Sequence, residues 1–316
     1  MKSKLLSMAA IVALALTATS CSDDDEEVDF PIVGDISMSG LYNEYSHGSN
    51  GWYDTDKIGV FVTSDGKTQL NIPYAPSEAS KTILSKMDDL EYYDYEGEAT
   101  GDTPLKALSS VKAGFKSGDH TIYAYTPMVE GATDYEAVPL PYVAMQNKDP
   151  RHIFGPDKKY NFAYAKKSMS TYSAAVLSLG DFQTICSQIT VASPEIPADA
   201  VGKKLTKVVV SCDKTIAYEE GATINLATGK ISGTPLKSIT YNMPNDGLEV
   251  KELWDGSASV ETCHIIAFIP FAEGKPAEFT VTFTIGGKEY VNRGVAKGYM
   301  PEGANNINLH KLPNVK

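Results

Sequence analysis

The chain has 316 residues, of which 42% are hydrophobic and 22% charged, and it contains 25 glycines and 17 prolines. These proportions are typical of a globular protein and exclude a collagen-like, low-complexity or wholly disordered chain. At about 150 residues per domain, the length predicts two domains. The formal net charge of −12, with only two arginines at positions 151 and 293, argues against nucleic acid as a partner, because phosphate binding needs clustered basic residues.

The N-terminal segment has the pattern of a secretory signal. Lys2 and Lys4 supply a positive start, and residues 5–18 form an apolar run that is shorter than the roughly 20 residues needed to span a bilayer. The small residues before Cys21 indicate a bacterial lipoprotein that is cleaved between Ser20 and Cys21 and acylated on the Cys21 sulfur. The alternative is an ordinary secretory signal in which the cysteine is incidental.

Residues 1–20 are therefore predicted to be a lipoprotein signal peptide, and residues 21–30 an acidic tether. Residues 23–27 are all acidic, and such a run stays solvated because its charges repel one another. An acidic run directly after a lipidated cysteine resembles the surface-export signal of Bacteroidetes lipoproteins. Cleavage would remove two lysines and no acid, which leaves 296 residues with a formal charge of −14.

The remaining chain has the patterning of an all-β protein. Residues 280–285 alternate strictly between polar and apolar, as in a strand with one buried face, and the glycines at 286–287 predict a tight hairpin to a strand at 288–292. One helix is predicted at residues 77–90, with Ser77 as its N-cap. Further strands are predicted at residues 57–63, 121–126, 161–165, 174–179, 188–192, 205–212, 264–271 and 305–312, with a second hairpin at 223–232.

The chain divides best near residue 172. Residues 166–171 are polar and short-sided, as in a linker, and the strands after them are denser and more regular than those before. Short strands with frequent turns favour sandwiches or barrels over parallel α/β units. We therefore expect one β-sandwich domain at residues 31–172 and a second at residues 173–316.

Five short motifs follow one another along the chain. They are GWYDTDKIGVF at 51–61, IYAYTP at 122–127, NFAYA at 161–165, VLSLGDF at 176–182 and INLATG at 224–229. In this order they resemble motifs of the fimbrillin family, the pilins and pilin-like surface lipoproteins of Bacteroidetes. The resemblance spans most of residues 51–312.

The resemblance implies two tandem transthyretin-like β-sandwich domains with antiparallel sheets of Greek-key type. It also implies a pilus subunit that assembles by strand exchange, in which a strand of another pilin subunit replaces the N-terminal strand of a trimmed subunit. The lipid anchor implies the outer membrane as a second partner, and the implied location is the cell surface or a fimbrium. The segment to be replaced is expected to comprise Phe30, Pro31, Ile32, Val33, Gly34, Asp35 and Ile36.

The role within a pilus stays open between structural subunit, anchor, and accessory or tip component, each with adhesion to a host or bacterial surface ligand. No arginine precedes Arg151, so an Arg-directed cut has no site in the N-terminal part of the chain. The predicted last strand at 305–312 is followed by few residues, so a long C-terminal donor strand is not evident. The alternative function is a surface lipoprotein that binds a glycan or a host protein and does not polymerise.

The sequence contains no motif for catalysis, for a metal or for a cofactor. It lacks His-Glu-x-x-His, Gly-x-Ser-x-Gly and a phosphate-binding glycine-rich loop, so we predict that the protein is not an enzyme. Besides Cys21 there are three cysteines, which are either three buried thiols or one disulfide and one thiol: Cys186, Cys212 and Cys263. The two tryptophans, Trp52 and Trp254, are expected to pack in the core or between domains. The tyrosine-rich and acidic residues 90–96 suit a solvated loop, an edge strand or a glycan contact.

Overall fold

The structure is a computed structural model of an all-β protein. It describes residues 37–42, 52, 56–77, 82–83, 93–94, 103–108, 119–148, 158–169, 176–191, 196, 198–244, 246–252, 258–260, 263–268, 277–296 and 306–308. Within these residues the helical segments are two single 3-10 turns, Lys158–Tyr160 and Ala198–Ala200. The predicted all-β class is confirmed.

The strands of the described residues are numbered in chain order. They are β1 (Ser37–Tyr42), β2 (Ile58–Ser64), β3 (Lys67–Pro76), β4 (Thr82–Ile83), β5 (Tyr93–Asp94), β6 (Thr103–Ala107), β7 (His120–Thr126), β8 (Val138–Pro139), β9 (Met145–Asn147), β10 (Ala163–Met169), β11 (Val176–Thr184), β12 (Cys186–Val191), β13 (Lys204–Cys212), β14 (Ala217–Tyr218), β15 (Thr223–Asn225), β16 (Lys230–Ser232), β17 (Pro235–Leu236), β18 (Ser238–Asn242), β19 (Leu248–Glu249), β20 (Lys251–Glu252), β21 (Ala258–Ser259), β22 (Cys263–Phe268), β23 (Ala277–Ile285), β24 (Lys288–Ala296) and β25 (Asn306–Asn308).

Seven strands close into a barrel in the order β1-β11-β10-β7-β2-β3-β6, with β6 pairing back onto β1. One apolar core fills this barrel, and it includes Val60 and Val62 of β2 together with Ile122 of β7. The alternate residues Phe61 and Tyr123 belong to a second core. Because side chains alternate between the two faces of a strand, β2 and β7 are buried on both faces.

Two sheets of the C-terminal half contribute most of the second core. The larger sheet has the order β24-β23-β13-β18-β9, with β19 also paired to β13, and the smaller has the order β22-β12-β25. On β23 the core face carries Val281, Phe283 and Ile285, whereas the threonines between them are half-buried on the opposite face. The polar and apolar alternation of this segment therefore produces a sheet with one core face and one solvated face.

Both predicted hairpins are confirmed. Gly286 and Gly287 join β23 to β24 with φ values of 56° and 79°, a conformation that glycine adopts without strain. The two strands pair from the turn at Ile285 and Lys288 to their far ends. β15 and β16 form the second hairpin, with Gly229 in its turn at a φ of 70°.

The stretch at residues 166–171, predicted as a linker, is strand as far as Met169. Residues 166–169 continue β10 and pair with β7, where Lys166 lies beside Tyr123 and Met169 beside His120. Polar and apolar residues alternate only weakly in this stretch, so its strand conformation depends on pairing with the neighbouring strand β7. The linker prediction is therefore wrong for these four residues.

Strand pairing crosses residue 172 in both directions. β11 belongs to the barrel of the N-terminal half, whereas β8 and β9 pair with β15 and β18 of the C-terminal half. The division into domains at 31–172 and 173–316 stays a prediction. The sheets of the described residues do not separate at that boundary.

The helix predicted at residues 77–90 is wrong where the structure describes it. The backbone N–H and the hydroxyl of Ser77 both donate to the carbonyl oxygen of Pro104, at 2.8 and 2.9 Å, so Ser77 extends the pairing of β3 with β6 and does not cap a helix. Further along, Thr82–Ile83 pairs with Tyr93–Asp94 as two short strands.

Candidate functional site

The strand β1 completes the barrel wall. It lies parallel to β11, where Tyr42 is beside Phe182, and antiparallel to β6 on its other side. A bulge near Gly180, whose φ is +71°, shifts the register between the two parallel strands after Ser39. The facing edges of β11 and β6 therefore depend on β1 for their backbone hydrogen bonds.

β1 is also the candidate site of strand exchange. It begins at Ser37, directly after the predicted exchange segment at 30–36, and it precedes every other described strand. Withdrawal of β1 would leave backbone donors and acceptors of two strands unpaired. Such edges are templates for pairing with a strand of another chain.

The site residues predicted near the N-terminus lie outside the described residues. They are Ser20, Cys21, Phe30, Pro31, Ile32, Val33, Gly34, Asp35 and Ile36. Cleavage, lipidation and strand exchange at these positions therefore stay predictions. β1 itself was not predicted, because the alternation in SMSGLY is too short to distinguish a strand from a loop.

Trp52 and Phe182 pack together beside β1. Their ring centroids lie 5.0 Å apart with the planes at 87°, and both side chains are buried. An edge-on aromatic pair of this kind contributes about 0.5–1.5 kcal/mol beyond its burial. Of the two predicted positions for Trp52, in the core or between domains, the structure shows the core of the barrel, whereas Trp254 lies outside the described residues.

Residues 127–147, called the crossover segment below, lead from the barrel to the C-terminal sheets. Their strand β8 pairs with β15, and β9 adds a parallel edge strand to β18. The buried side chain of Gln146 donates through Nε2 to the carbonyl oxygens of Val143 at 2.8 Å and Ile266 at 2.6 Å. Its Oε1 accepts the N–H of Ile266 at 3.1 Å. The Gln146 side chain thus hydrogen-bonds both the N–H and the C=O of Ile266 that point outward from β22.

The start of the crossover segment is held by Tyr125. The hydroxyl of Tyr125 donates to Asn71 Oδ1 at 2.9 Å and accepts the N–H of Val129 at 3.3 Å, while Asn71 Nδ2 donates to the Val129 carbonyl at 3.0 Å. Burial raises the pKa of Tyr125 to about 12, although the hydrogen bonds to Val129 and Asn71 act in the opposite direction. This hydroxyl therefore stays protonated at neutral pH and has a structural role.

Two aromatic stacks join the barrel to the second core. Phe61, Tyr125 and Phe162 stack in sequence with centroid distances of 6.0 and 5.8 Å. Tyr123 of the barrel stacks on Tyr135 of the crossover segment, with centroids 4.3 Å apart and planes 6° apart. The stack of Tyr123 on Tyr135 fixes the crossover segment against the outside of the barrel.

Two cavities open beside these elements. A mainly apolar cavity of about 510 Å³ is lined by Lys57, Asn71, Pro73, Leu108, Met128, Glu130, Gly131 and Ala132. A more polar groove of about 400 Å³ lies between β10, β11 and the β15–β16 turn, and its lining includes Tyr164, Lys166, Asp181 and Gln183. Lys166 Nζ donates to the Ala227 carbonyl at 3.0 Å across this groove. Both volumes lie in the range of about 300–1,000 Å³ typical of small-molecule sites.

The three cysteines of the described residues are buried thiols. Cys186, Cys212 and Cys263 form no disulfide with one another, so the alternative with one disulfide is not realised. Burial raises the pKa of the Cys186 thiol to about 12 and that of Cys212 to about 11. Such thiols are poor nucleophiles at neutral pH, because the reactive form is the thiolate.

No group of three or more His, Cys, Asp and Glu side chains in the described ranges could hold a metal ion. In the part of the chain that the structure describes, no helix is long and apolar enough to span a membrane.

Comparison with known proteins shows a likeness of fold. The structure resembles a candidate cell adhesion protein of Bacteroides uniformis with a TM-score of 0.51 and 12% identity, covering 88% of this chain and 94% of that chain. A candidate cell adhesion protein of Bacteroides ovatus matches with a TM-score of 0.46 and 17% identity, covering 89% of this chain and 94% of that chain. A candidate cell adhesion protein of Bacteroides fragilis matches with a TM-score of 0.43 and 12% identity, covering 86% of this chain and 91% of that chain. At these identities the likeness concerns the fold alone. By sequence, no protein family and no curated protein matches the chain.

Sequence reasoning missed the crossover segment. Pro139 and Pro141 interrupt its apolar pattern, and proline within a run argues against a strand. No local signal marks Gln146 as the partner of a backbone 120 positions away. The same holds for Tyr125 and Asn71, which meet only because β3 and β7 flank β2 in the barrel.

Proposed function

We propose that this chain is a fimbrillin-like protein of the bacterial cell surface with a role in adhesion, and that it acts by binding and assembly without catalysis. The observation that carries the proposal is the position of β1, which closes the barrel between β11 and β6. The fold likeness to a candidate cell adhesion protein supports it. The two halves of the chain would then correspond to the tandem transthyretin-like domains of the fimbrillin family.

The proposed assembly follows from the pairing of β1. Proteolytic removal of the N-terminal segment would take β1 out of the barrel and expose the edges of β11 and β6. A strand of a second pilin subunit would fill the gap and restore the backbone hydrogen bonds. An untrimmed copy would keep the lipid on Cys21 and remain attached to the outer membrane, which suits an anchor or accessory subunit as well as a structural one.

The test is controlled release of β1. A site for a specific protease is inserted at residue 47, after β1, and the purified protein is cut and analysed by unheated gel electrophoresis. We expect a ladder of high-mass species after cutting, because subunits with an open barrel capture strands of other copies. Insertion of the same site in the exposed turn at Gly66 is the control, since that cut leaves β1 in the chain next to its partners.

The proposal of strand exchange is contradicted if the protein cut at residue 47 stays monomeric, or if it forms no more polymer than the control cut. The lipid anchor has a separate test. Incorporation of labelled palmitate in cells is expected for the parent and lost in Cys21→Ser. Exposure at the surface is checked by adding protease to intact cells, which should degrade the protein.

The alternative function, binding of a glycan or host protein without polymerisation, is favoured by the polar groove beside β10 and β11. Its lining combines the aromatic ring of Tyr164 with Lys166, Asp181 and Gln183, a mixture suited to the hydroxyl groups and apolar faces of sugars. A monomer that retains a glycan on an array, with binding lost in Tyr164→Ala and Asp181→Ala, would support this function over polymerisation.

A further inference from the structure

Among the described strands, β24 is an edge of the larger sheet. It pairs with β23 along its whole length, and no other described strand pairs with its outer side. In a two-residue hairpin the residues that close the turn are hydrogen-bonded to each other, and this pattern alternates along the strand. The backbone N–H and C=O groups of Glu289, Val291 and Arg293 therefore point away from β23.

The solvent side of β24 carries a pair of opposite charges. Glu289 and Arg293 are exposed, four residues apart on the same face, and neither forms an ion pair with another described residue. Charges on an edge strand oppose pairing with a strand that does not match them. They favour a strand that presents the same two charges in the opposite direction.

We propose that β24 is a self-association edge, through which two copies of this chain pair antiparallel about a twofold axis at Val291. In this register Glu289 of each copy lies opposite Arg293 of the other. The outward backbone groups at positions 289, 291 and 293 bond to one another, so a single contact satisfies both the backbone edge and the two charges.

The neighbouring registers do not have this complementarity. A twofold axis at Asn292 places Arg293 opposite Val291, and an axis at Tyr290 places Glu289 opposite Val291. Both leave the two charges without partners. The arrangement thus selects a second copy of the same chain, because the same residues complete the contact on both sides.

This edge is distinct from the barrel edges beside β1. Pairing through β24 would join two subunits side by side, whereas strand exchange at β1 would join them in series. The inference holds for the intact chain and does not depend on polymerisation. It gives surface-anchored copies a lateral contact.

Cysteine trapping tests the register directly. The full chain carrying Val291→Cys is extracted from membranes in mild detergent and oxidised gently. Directly paired residues in an antiparallel ladder have Cα atoms about 5.5 Å apart, within the range for a disulfide, so a covalent dimer is expected. The described native thiols are buried and should not contribute.

Thr282→Cys is the matched control. Thr282 lies beside Val291 on the same sheet face, one strand further in, so its copies would be about 14 Å apart across the proposed axis and should not be linked. Two lipidated chains held in one detergent micelle can form disulfides through proximity alone, and this background is the same for both variants. The proposal is overturned if Val291→Cys gives no more dimer than Thr282→Cys.

Charge reversal tests the partner chemistry. Glu289→Lys or Arg293→Glu alone places like charges opposite each other twice, so the dimer dissociation constant measured by sedimentation should rise at least about tenfold at low salt. The double variant restores opposite charges and should recover most of the parent affinity. A dimer that is insensitive to either single reversal, or that the double variant does not recover, contradicts this register and with it the proposal.

Discussion

Gln146 and Ile266 form two hydrogen bonds across 120 positions of sequence. The side-chain amide of Gln146 gives Ile266 the same donor and acceptor that a neighbouring strand would supply. Because β9 also pairs with β18, the crossover segment is bonded to both sheets of the second core. The contact also closes the outer side of β22 at Ile266 to any other strand.

Replacement of Gln146 should destabilise the fold strongly. Gln146→Leu keeps the approximate volume but leaves the carbonyls of Val143 and Ile266 and the N–H of Ile266 without this partner. Each buried group left unpaired costs about 1–3 kcal/mol, and the free energy of unfolding from urea titration should fall by at least this amount. Gln183→Leu, at an exposed glutamine of β11, should change it by no more than about 0.5 kcal/mol. Equal effects of the two variants would contradict the role of Gln146.

The stability of the protein should depend on Tyr125 at alkaline pH. The pKa of Tyr125 is about 12 in the fold, above its ordinary value of 10.0. The Tyr125 hydroxyl therefore stabilises the fold fully below pH 10. This stabilisation is lost as the pH rises through 12, because the unfolded chain releases the proton more readily than the folded one. The difference in unfolding free energy between the parent and Tyr125→Phe should therefore shrink by about 2 kcal/mol over this interval. Tyr142→Phe, at an exposed tyrosine, serves as the control. A constant difference from pH 9 to pH 12 would refute the prediction.

Gly59 is required by close approach to Tyr125. A Cβ atom at this position would overlap Tyr125 Cε1 and Asn71 Oδ1, two atoms of the hydrogen-bonded group that holds Val129. Gly59→Ala should therefore lower the free energy of unfolding by about 1–3 kcal/mol through overpacking. Gly66→Ala, in an open turn with a φ of +76°, should cost about 1 kcal/mol from backbone strain alone. Thermal unfolding of the two variants distinguishes the effects, and a smaller loss for Gly59→Ala would contradict the packing argument.

The buried thiols should be unreactive in the native protein. Burial raises the pKa values of Cys186 and Cys212, and a thiol without access or thiolate character reacts slowly with a disulfide reagent. Titration at pH 8 should detect no fast thiol in the native lipidated chain and three after unfolding in urea. Four thiols after unfolding would indicate that Cys21 is not acylated, and a fast native thiol would contradict the buried positions.

The hairpin of β23 and β24 was predictable because all of its signals are local. Alternating Val281, Phe283 and Ile285 define the buried face, and Gly286 with Gly287 define the turn. The candidate site was predictable only in part. The resemblance to fimbrillin motifs implies an exchange segment at residues 30–36, but β1 lacks a pattern long enough to identify it. The partners of Met38 in β1 are 67 and 139 positions away, at Leu105 and Leu177.

The sequence by itself determined the all-β class, most of the long strands and two hairpin turns, because side-chain alternation and the backbone freedom of glycine act over a few residues. The ten-residue strand β3 was not predicted. The tertiary structure alone decided that Val176–Thr184 joins the barrel, that the crossover segment pairs with the C-terminal sheets, and that Gln146 meets Ile266. Those choices depend on which edges and buried polar groups remain to be satisfied after the whole chain has packed, and no short segment carries that information.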